Sequence, residues 1–509
     1  MSEIELKFGL TEAAADAVGA ILLGRGATTE ELESRYWDSA DRRLARAGIS
    51  LRLRRSSTGW DQTVKAEGAS PAERMEETVA RAGRWDGGAP PPDTRLHAGS
   101  QAGERLNEAL SKRSGKPAPL GLVHTTRVRR FALSIEVSGA DLEVALDRGT
   151  VDSSERSLPI LELEVELKEG PVAPLIAVGR ASLDAHGMWL STISKAMRGG
   201  WLAKLPDPPR AVKAERVQLD RHASGPEIFR AVMRNCVDQV LANAGLLAEG
   251  NLEDAVLHQL RIGLRRMRTA RRELGMWRGA LGDEWQAAAD DAFRKLGVYR
   301  DHRTIAASMQ RRLAAAGSPN PVLRTGSAAE DYDPTRIVRD RAFQNSMLSL
   351  LEFLLDAPAL ARTGPASGDG EPTERDGSAG DPARVVARRL GKLHERLKRD
   401  AQEFEKLGTR SRHGVRKRLK RLRYLSELVA PLYRRGRVER FLDEIEPGQD
   451  ELGRYIDLVV AIRFAEETAE TGDPRAWFNV GWLRAQVPRA VERCSKCLRR
   501  VDDAEPFWS

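Results

Sequence analysis

The sequence predicts a multidomain protein in which an antiparallel β-barrel precedes an all-α half. Charged and apolar residues alternate along short segments of residues 1–205, as they do in strands that have one polar and one apolar face. Many such strands joined by short turns favour a closed barrel over an open sheet. Prolines 206, 208 and 209 then indicate a linker at 206–224, and residues 225–500 have helical periodicity.

The first predicted strand carries Glu3, Glu5 and Lys7 on one face and apolar residues on the other. Three later segments repeat this alternation with one sign of charge each: Arg52 and Arg54, Arg127 and Arg129, and Glu162, Glu164 and Glu166. The pair at 127 and 129 falls in a predicted strand over 122–129, and a separate strand is predicted over 131–137. Separate solvated faces would not need acidic and basic strands to be kept distinct, so the segregation favours a shared, charged interior.

These motifs occur in an order that resembles the CYTH domain, the triphosphate tunnel metalloenzyme family. The resemblance covers about the first two hundred residues. It rests on Glu3-x-Glu5-x-Lys7, Leu51-Arg52-Leu53-Arg54, Lys65, Arg74-x-Glu76, Ala145-Leu146-Asp147-Arg148-Gly149, Glu162-x-Glu164 and Ser194-Lys195. It implies an α+β domain, residues 1–205, built on an eight-stranded antiparallel β tunnel with a charged lumen.

A triphosphate concentrates negative charge in a small volume, so its site must supply cations from several directions. Arginine binds phosphate oxygens bidentately, and lysine adds a point charge. The candidate triphosphate-binding residues are Lys7, Arg52, Arg54, Lys65, Arg74, Arg127, Arg129 and Lys195. The carboxylates would repel this ligand unless they hold a divalent cation, for which Mg²⁺ or Mn²⁺ is suited. The candidate metal ligands are Glu3, Glu5, Asp147, Glu162 and Glu164, while the part played by Glu166 stays open.

By resemblance, the tunnel hydrolyses inorganic triphosphate, with water attacking a terminal phosphorus. The candidate catalytic residues are Glu3, Glu5, Lys7, Arg52 and Arg54. No Ser, Cys or His nucleophile is indicated, and His97 and His124 are expected on the surface or in loops. Three alternatives remain open: a non-catalytic polyphosphate-binding protein, a thiamine triphosphatase and an adenylate cyclase.

Length and composition limit the class of protein. A chain of 509 residues is too long for one ordinary core, and no window approaches the roughly 18 apolar residues of a membrane span. The chain begins with acidic strand residues rather than a signal sequence, and its three cysteines suit a reducing cytoplasm. We therefore expect a cytoplasmic protein without a membrane partner, in which Cys494-x-x-Cys497 is incidental.

The helical half contains an internal repeat. His258-x-x-Arg261 and the basic residues that follow it match His413-x-x-Arg416, 155 residues further along. The predicted repeats are residues 225–360 and 383–500. A stretch rich in Gly, Pro, Ser, Asp and Glu, residues 363–382, separates them and is expected to be disordered.

In each repeat, the His and the basic residues at +3, +7 and +10 share one helix face. This pattern resembles the CHAD domain, a basic helical domain associated with polyphosphate, over about residues 225–500. Each repeat also contains a Leu-Gly-x-x-x-Asp element, and in the second copy it ends at Asp457. Ile456, which precedes Asp457, departs from the family, which usually has Asn or Arg at that position. The resemblance implies polyphosphate binding, for which the candidates are His258, Arg261, Arg265, Arg266, Arg268, His413, Arg416, Lys417, Lys420, Arg421 and Arg423.

Charge is distributed unevenly between the two halves. Residues 1–224 contain 32 basic and 32 acidic residues, so the whole net charge of +8 lies in residues 225–509. Such a surface attracts polyanions in general. Few aromatic residues are interleaved with the basic ones and no DNA-binding motif is present, so no specific nucleic acid is expected. Association with polyphosphate granules is a further expectation, and His258 and His413 as core histidines are the open alternative.

Overall fold

The computed structural model describes residues 2–68, 72–81, 88–111, 118–154, 156–203, 209–220, 222–324, 332–356 and 381–509. The predicted linker prolines Pro206 and Pro208, and residues 363–380 of the predicted disordered stretch, lie outside the described residues. The side chain of Arg74 is not described either. The domain boundaries at 205, 224 and 500 stay predictions.

The N-terminal half is built from nine strands. They are β1 (Ser2–Gly9), β2 (Thr28–Ser39), β3 (Ile49–Ser56), β4 (Gly59–Glu67), β5 (Glu73–Arg81), β6 (Leu120–Val137), β7 (Ala140–Ser153), β8 (Arg156–Glu169) and β9 (Trp189–Leu190). Five helices accompany them: α1 (Glu12–Gly24), α2 (Arg43–Arg46), α3 (Gln101–Leu110), α4 (Val172–His186) and α5 (Lys195–Leu202).

Eight of the strands close into an antiparallel barrel, as predicted. They pair in the order β5-β4-β3-β2-β6-β7-β8-β1, and β1 pairs back to β5 at Glu3 and Arg74. The two-residue strand β9 adds to β1 outside this circle. The prediction of two strands over 122–129 and 131–137 was wrong, because β6 continues through Arg130 without a break.

The register of the barrel sets charged residues beside one another. Lys7 of β1 lies opposite Glu164 of β8, and Asp147 of β7 lies opposite Glu162 of β8. Arg130 of β6 lies opposite Asp147 on the other side of β7. Directly paired residues project from the same face of a sheet, so acidic and basic side chains meet across these strands.

The C-terminal half is helical. Its α-helices are α6 (Gly225–Ala248), α7 (Asp254–Leu274), α8 (Glu284–Arg300), α9 (Ala306–Ala315), α10 (Pro334–Arg339), α11 (Arg341–Leu355), α12 (Pro382–Glu403), α13 (Thr409–Val429), α14 (Arg435–Ala469), α15 (Trp477–Ala485) and α16 (Val487–Asp503). A capping box of Ser224 and Glu227 begins α6. A π-helical turn, Asp301–Ile305, joins α8 to α9.

The apolar core continues from the barrel into the helical half. Leu6 and Phe8 of β1 are fully buried, and α4 covers them. A Cβ atom at Gly179 of α4 would lie 2.9 Å from Leu6 Cδ1 and 3.7 Å from Leu348 Cδ2 of α11, so a larger residue here would require the buried Leu6 side chain to shift. Helix α4 therefore forms a layer between the barrel and the helical half, and one hydrophobic cluster includes residues of both.

Candidate functional site

A cavity of about 910 Å³ occupies the barrel. Most of the predicted tunnel residues line it: Glu3, Glu5, Lys7, Arg52, Arg54, Lys65, Glu164 and Lys195. They come from β1, β3, β4, β8 and α5, so cations and carboxylates face the same space from different sides. The structure thus brings together residues that are up to 192 positions apart in the chain.

Two arginines of β3 line this cavity and have unused donors. Arg52 and Arg54 are two positions apart on a strand, so both side chains project inward. Among the described residues, the buried Nε atoms of both have no hydrogen-bond acceptor. Burial, together with the positive charges of Arg52 and Arg130, lowers the pKa of Arg54 to about 10. Buried guanidinium donors without partners are costly, and phosphate oxygens would satisfy them.

Lys65 and two carboxylates form one side of the site. Lys65 Nζ lies 2.9 Å from Glu3 Oε2 and also pairs with Glu76, while Arg52 Nη2 lies 3.9 Å from Glu76. Burial and a hydrogen bond with Glu76 raise the pKa of Glu3 to about 8. Burial alone would raise the pKa of Glu76, but the Glu3 hydrogen bond and the charges of Lys65 and Arg52 lower it to about 2. The two carboxyl groups therefore share a proton at neutral pH.

Lys195 joins three carboxylates of β7 and β8. Its Nζ atom lies 2.7 Å from Asp147 Oδ2 and 3.0 Å from Glu164 Oε1, and it also pairs with Glu162. Burial would lower the pKa of Lys195, but the three carboxylates raise it well above its ordinary value. The charges of Lys195 and Arg130 outweigh burial at Glu164 and hold its pKa well below the usual range.

The predicted arginines of β6 do not reach the cavity. The side chains of Arg127 and Arg129 are 64% and 59% exposed, and they pair with Asp152 and Glu31 on the outside of the barrel. Their prediction as lumen residues was wrong, because the other face of β6 points inward. Arg130 lies on that inner face, lines the cavity and was missed. It is 2.7 Å from Asp147 and 2.6 Å from Glu164.

The predicted metal ligands divide into two groups. Oxygen atoms of Asp147, Glu162 and Glu164 all lie within 4.8 Å of one another. Oε2 of Glu162 is buried and has no hydrogen-bond partner in the described part of the chain. Three carboxylates with an unused oxygen fit a hard divalent cation. Glu3 and Glu5 lie on β1, beside Lys65 and Lys7 respectively, and are not part of this cluster.

Aromatic side chains line another part of the cavity. Tyr36 and His124 stack with ring centroids 4.4 Å apart, and Trp37 and Trp201 also line it. His124 is only 4% exposed and His97 is fully buried, so the expectation of surface or loop positions was wrong for both. Burial, with the charge of Arg42 nearby, lowers the pKa of His124 to about 3, so the imidazole is neutral. Neither ring nitrogen has a partner among the described residues.

In the helical half, the two predicted basic faces meet. Helices α7 and α13 pack together, so the charges of Arg261, Arg265, Arg416 and Lys420 act on one another, with Arg300 of α8 alongside. Burial and these four arginines lower the pKa of Lys420 to about 5. Partial desolvation and neighbouring cations likewise lower the pKa of His258 to about 4. We call these residues, with His413, the basic cluster: His258, Arg261, Arg265, Arg300, His413, Arg416 and Lys420.

Four other predicted polyphosphate residues have local partners. Arg266 is buried and donates to Gln239 Oε1 at 2.9 Å and Asn235 Oδ1 at 2.7 Å, inside the α6–α7 contact. The other three residues form ion pairs: Arg421 with Glu273, Arg423 with Glu427 and Arg268 with Asp290.

Arg266 and Arg421 were predicted to bind polyphosphate, but neither lies on the basic face. They are equivalent positions of the repeat, and each lies about 120° around its helix from the middle of that face. Arg268 does belong to the face, since it shares the Phe293 ring with Arg261 and Arg265. Lys417 is exposed on α13.

Fold and cavity define a two-part protein, in which a charged β tunnel precedes a basic helical domain. Residues 1–199 match the CYTH domain family, and residues 231–466 match the CHAD domain family. The chain therefore belongs to the proteins that carry a CYTH domain followed by a CHAD domain, as predicted. CYTH domains are triphosphate tunnel metalloenzymes, so the match supports a metal-dependent phosphohydrolase in general.

Several solved structures are similar to parts of the chain. The CHAD domain from the plant Ricinus communis is 26% identical, with a TM-score of 0.46, covering 58% of this chain and 97% of its own. A candidate adenylate cyclase from Bacillus halodurans is 15% identical, with a TM-score of 0.25, covering 36% and 88%. A candidate adenylyl cyclase from Hippeastrum with a dominant triphosphatase activity is 17% identical, with a TM-score of 0.27, covering 39% and 96%.

Two other expectations concern membranes and thiols. In the described ranges, none of the helices combines the length and the apolar character that crossing a bilayer requires. Cys236, Cys494 and Cys497 are all free thiols.

Proposed function

We propose that the barrel hydrolyses a terminal phosphoanhydride bond of inorganic triphosphate. The observation that carries this proposal is that Arg52 and Arg54 both line the cavity, while their buried Nε donors have no acceptor among the described residues. Lys7, Lys65 and Lys195 add positive charge from other elements of the same cavity. A short polyanion with oxygens on every side matches donors that converge from several directions.

The chain's own residues would bind and orient this substrate. Arg52 and Arg54 would hold phosphate oxygens, and Arg130 would keep Asp147 and Glu164 ionised through its short ion pairs. Lys195 occupies the space between the three carboxylates, so its ammonium and a cation would compete for the same oxygens. Bound there, Mg²⁺ or Mn²⁺ would polarise the phosphoryl group and offset the carboxylate charge.

An organic triphosphate is the second candidate substrate. The cavity of about 910 Å³ is larger than a triphosphate needs, and the stacked rings of Tyr36 and His124 line part of it. A planar base would find an aromatic surface there, together with a neutral imidazole whose nitrogens are unused. This observation favours thiamine triphosphate or a nucleotide over a pure polyanion.

We further propose that the helical half binds inorganic polyphosphate. The basic cluster supports this, because burial and the repulsion between its cations together lower the pKa of Lys420 to about 5 and favour its neutral form. A polyanion would relieve that repulsion, and binding of this kind is electrostatic and tolerant of chain length. Polyphosphate binding without catalysis is the alternative for the whole chain. The free thiols support a cytoplasmic location, where polyphosphate granules would be the place of binding.

Phosphate release from tripolyphosphate, ATP and thiamine triphosphate, each with Mg²⁺ or Mn²⁺, tests the barrel proposal. We expect the highest kcat/KM with tripolyphosphate and no release after chelation of the metal. Preference for thiamine triphosphate or ATP would favour the second candidate. Absence of release from all three, with tight polyphosphate retention, would establish the binding alternative. Formation of cyclic nucleotide from ATP would identify a cyclase.

A further inference from the structure

One wall of the barrel cavity is formed by the chain that follows β9. Thr192, Ser194, Lys195, Met197 and Trp201 all line the cavity. Ser194 begins α5, since its hydroxyl accepts a hydrogen bond from the Met197 amide at 3.2 Å. We call residues 189–201 the wall segment. Its position determines where Lys195 meets the carboxylates of β7 and β8.

On the barrel side, the wall segment is attached to β1. Phe8 pairs with Leu190 and Gly9 with Trp189, and the Ser191 amide donates to the Lys7 carbonyl at 2.8 Å. Trp189 packs directly against the β1 backbone, since a Cβ atom at Gly9 would lie 2.4 Å from its indole ring. The strand pairing spans only two residue pairs, and further along the segment Lys195 and the packing of α5 against β6, β7 and β8 add to it.

On its other side, the wall segment makes side-chain contacts with several described residues of the helical half. The Leu190 amide donates to Gln344 Oε1 of α11 at 2.7 Å, in a buried position. The Arg339 guanidinium of α10 lies 3.6 Å from the centre of the Trp189 ring. Arg198 of α5 donates to both carboxylate oxygens of Glu249, just after α6, at 3.0 and 2.8 Å.

The first two of these partners are themselves held in place. The Gln344 side-chain amide donates to the Val338 carbonyl, and Arg339 Nε donates to the Ala248 carbonyl at 3.0 Å. Gln344 is 3% exposed, so its orientation is determined by packing as well as by these bonds. The contacts to the wall segment are therefore made by side chains whose own rotamers are restricted.

We propose that the helical half is a structural part of the barrel site: Gln344, Arg339 and Glu249 position the wall segment and thereby Lys195. They act as positioning residues, because none of them lines the cavity. The inference about position is independent of the reaction, whereas its kinetic consequence rests on the proposed hydrolysis.

Hydrogen exchange in the full-length chain tests the positioning directly. Gln344→Met keeps the volume but removes the acceptor, so we expect the Leu190 amide to exchange about tenfold faster, with amides of α5 following. Glu352→Gln is the matched control, because Glu352 lies on the same helix and bonds Arg180 of α4 at 3.2 Å, away from the wall segment. Unchanged exchange over residues 189–201 in Gln344→Met would overturn the proposal.

Kinetics provide the second measurement. We expect Gln344→Met and Glu249→Lys to lower kcat/KM for tripolyphosphate about tenfold, while Glu352→Gln stays within twofold. Glu249 lies on the surface, so Glu249→Lys repels Arg198 without disturbing the core. Parent-like kinetics in both variants would overturn the proposal even if one amide exchanged faster. If the parent does not hydrolyse tripolyphosphate, the proposed function fails and the exchange measurement alone decides the positioning.

Discussion

Lys195 Nζ lies 2.7 Å from Asp147 Oδ2, and both side chains are almost completely withdrawn from solvent. The pair links the first residue of α5 to a strand on the barrel wall. Removing one member of such a pair leaves an uncompensated buried charge, whereas the intact pair contributes little net stability. Replacing one member of the pair is therefore expected to have a larger effect on stability than the intact pair contributes.

Lys195→Met should abolish turnover of tripolyphosphate and lower the free energy of unfolding by about 3–5 kcal/mol, because three carboxylates then face one another with Arg130 and Lys7 as their remaining close cations. Denaturant unfolding and phosphate release measure the two effects. Lys168→Met is the control, since Lys168 also lines the cavity but is half exposed and pairs with Glu166. Equal stability of the two variants would contradict the structure around Lys195.

Adjacent arginines of β6 should behave oppositely. Arg130→Ala should lower kcat at least about tenfold and cost about 3–5 kcal/mol of stability, because it removes two short ion pairs from a buried cluster and leaves Lys195 as the close cation shared by Asp147 and Glu164. Arg129→Ala removes an exposed pair with Glu31 and should change stability by less than about 1 kcal/mol. Unfolding curves and steady-state kinetics of both variants measure these effects. A larger loss of stability in Arg129→Ala than in Arg130→Ala would mean that the face of β6 assigned to the interior is the wrong one.

Loss of a carboxylate charge should weaken metal binding. Glu5→Gln and Glu164→Gln keep the side-chain shape but remove the charge that offsets a cation, so we expect metal-dependent hydrolysis to disappear in both. Calorimetric titration with Mn²⁺ gives a readout independent of turnover. Glu31→Gln, on the outer face, serves as the control. Undiminished turnover in both inner variants would exclude the metal-dependent mechanism.

The basic cluster should carry polyphosphate binding. Reversing charge at Arg261 and Arg416 together should weaken retention of long polyphosphate about 100-fold, since each hydrogen bond from a charged group contributes roughly 1.5–3 kcal/mol. It should also flatten the dependence of affinity on salt. The charge-matched control reverses Arg435 and Arg475, which are exposed and pair locally. Tripolyphosphate turnover should not change. If the Arg261 and Arg416 variant retains polyphosphate as well as the parent at several salt concentrations, the binding surface lies elsewhere.

Polyphosphate binding should also depend on pH. Lys420 loses its proton above about pH 5 in the folded protein, but the unfolded chain keeps it up to the ordinary lysine pKa. The unfolded state binds more protons between these values, so the Lys420 contribution makes stability rise with pH there. A polyanion favours the charged form, so affinity should rise as pH falls from 8 towards 5, with proton uptake.

Calorimetry in buffers of different ionisation enthalpy measures that uptake. Lys420→Met should remove most of it, and Lys417→Met, on the exposed side of α13, should not. Identical proton uptake in the parent and Lys420→Met would mean that Lys420 is already charged before binding.

Residue pattern alone predicted much of the fold. Alternation located the charged strands, helical periodicity located the second half, and the 155-residue repeat paired His258 with His413. These features are local, since they depend on periodicity within one element. The eight-strand count and the charged lumen were implied by the resemblance of the ordered motifs to the CYTH domain.

What the pattern could not decide was which face of β6 points inward. Arg127 and Arg129 alternate as regularly as Arg52 and Arg54, but Asp152 and Glu31 meet them on the outside. The inward position of Arg130 depends on its register with Asp147, which exists only once β7 has paired. A shift of the alternation by one residue exchanges the two faces of a strand. The sequence signal for Arg130 was therefore the alternation that is one residue out of step with Arg127 and Arg129.

The same limit applies to His124 and to the wall segment. His124 is buried because α5 and Tyr36 cover it: a Cβ atom at Gly199 would lie 2.0 Å from its ring. Gln344 lies 154 residues from Leu190, in the other half of the chain. Contacts at such separation follow from tertiary packing and leave no periodic trace in the sequence.

The packing of α7 against α13 predicts how many polyanion chains each molecule would bind. The two halves of the repeat contribute to one cluster, in which Arg261 and Arg416 act on each other's charge. Under the proposed function, a polyphosphate chain bound at the His258 helix would also reach the His413 helix and would repel a second chain. The two halves of the repeat would then bind one polyanion per molecule.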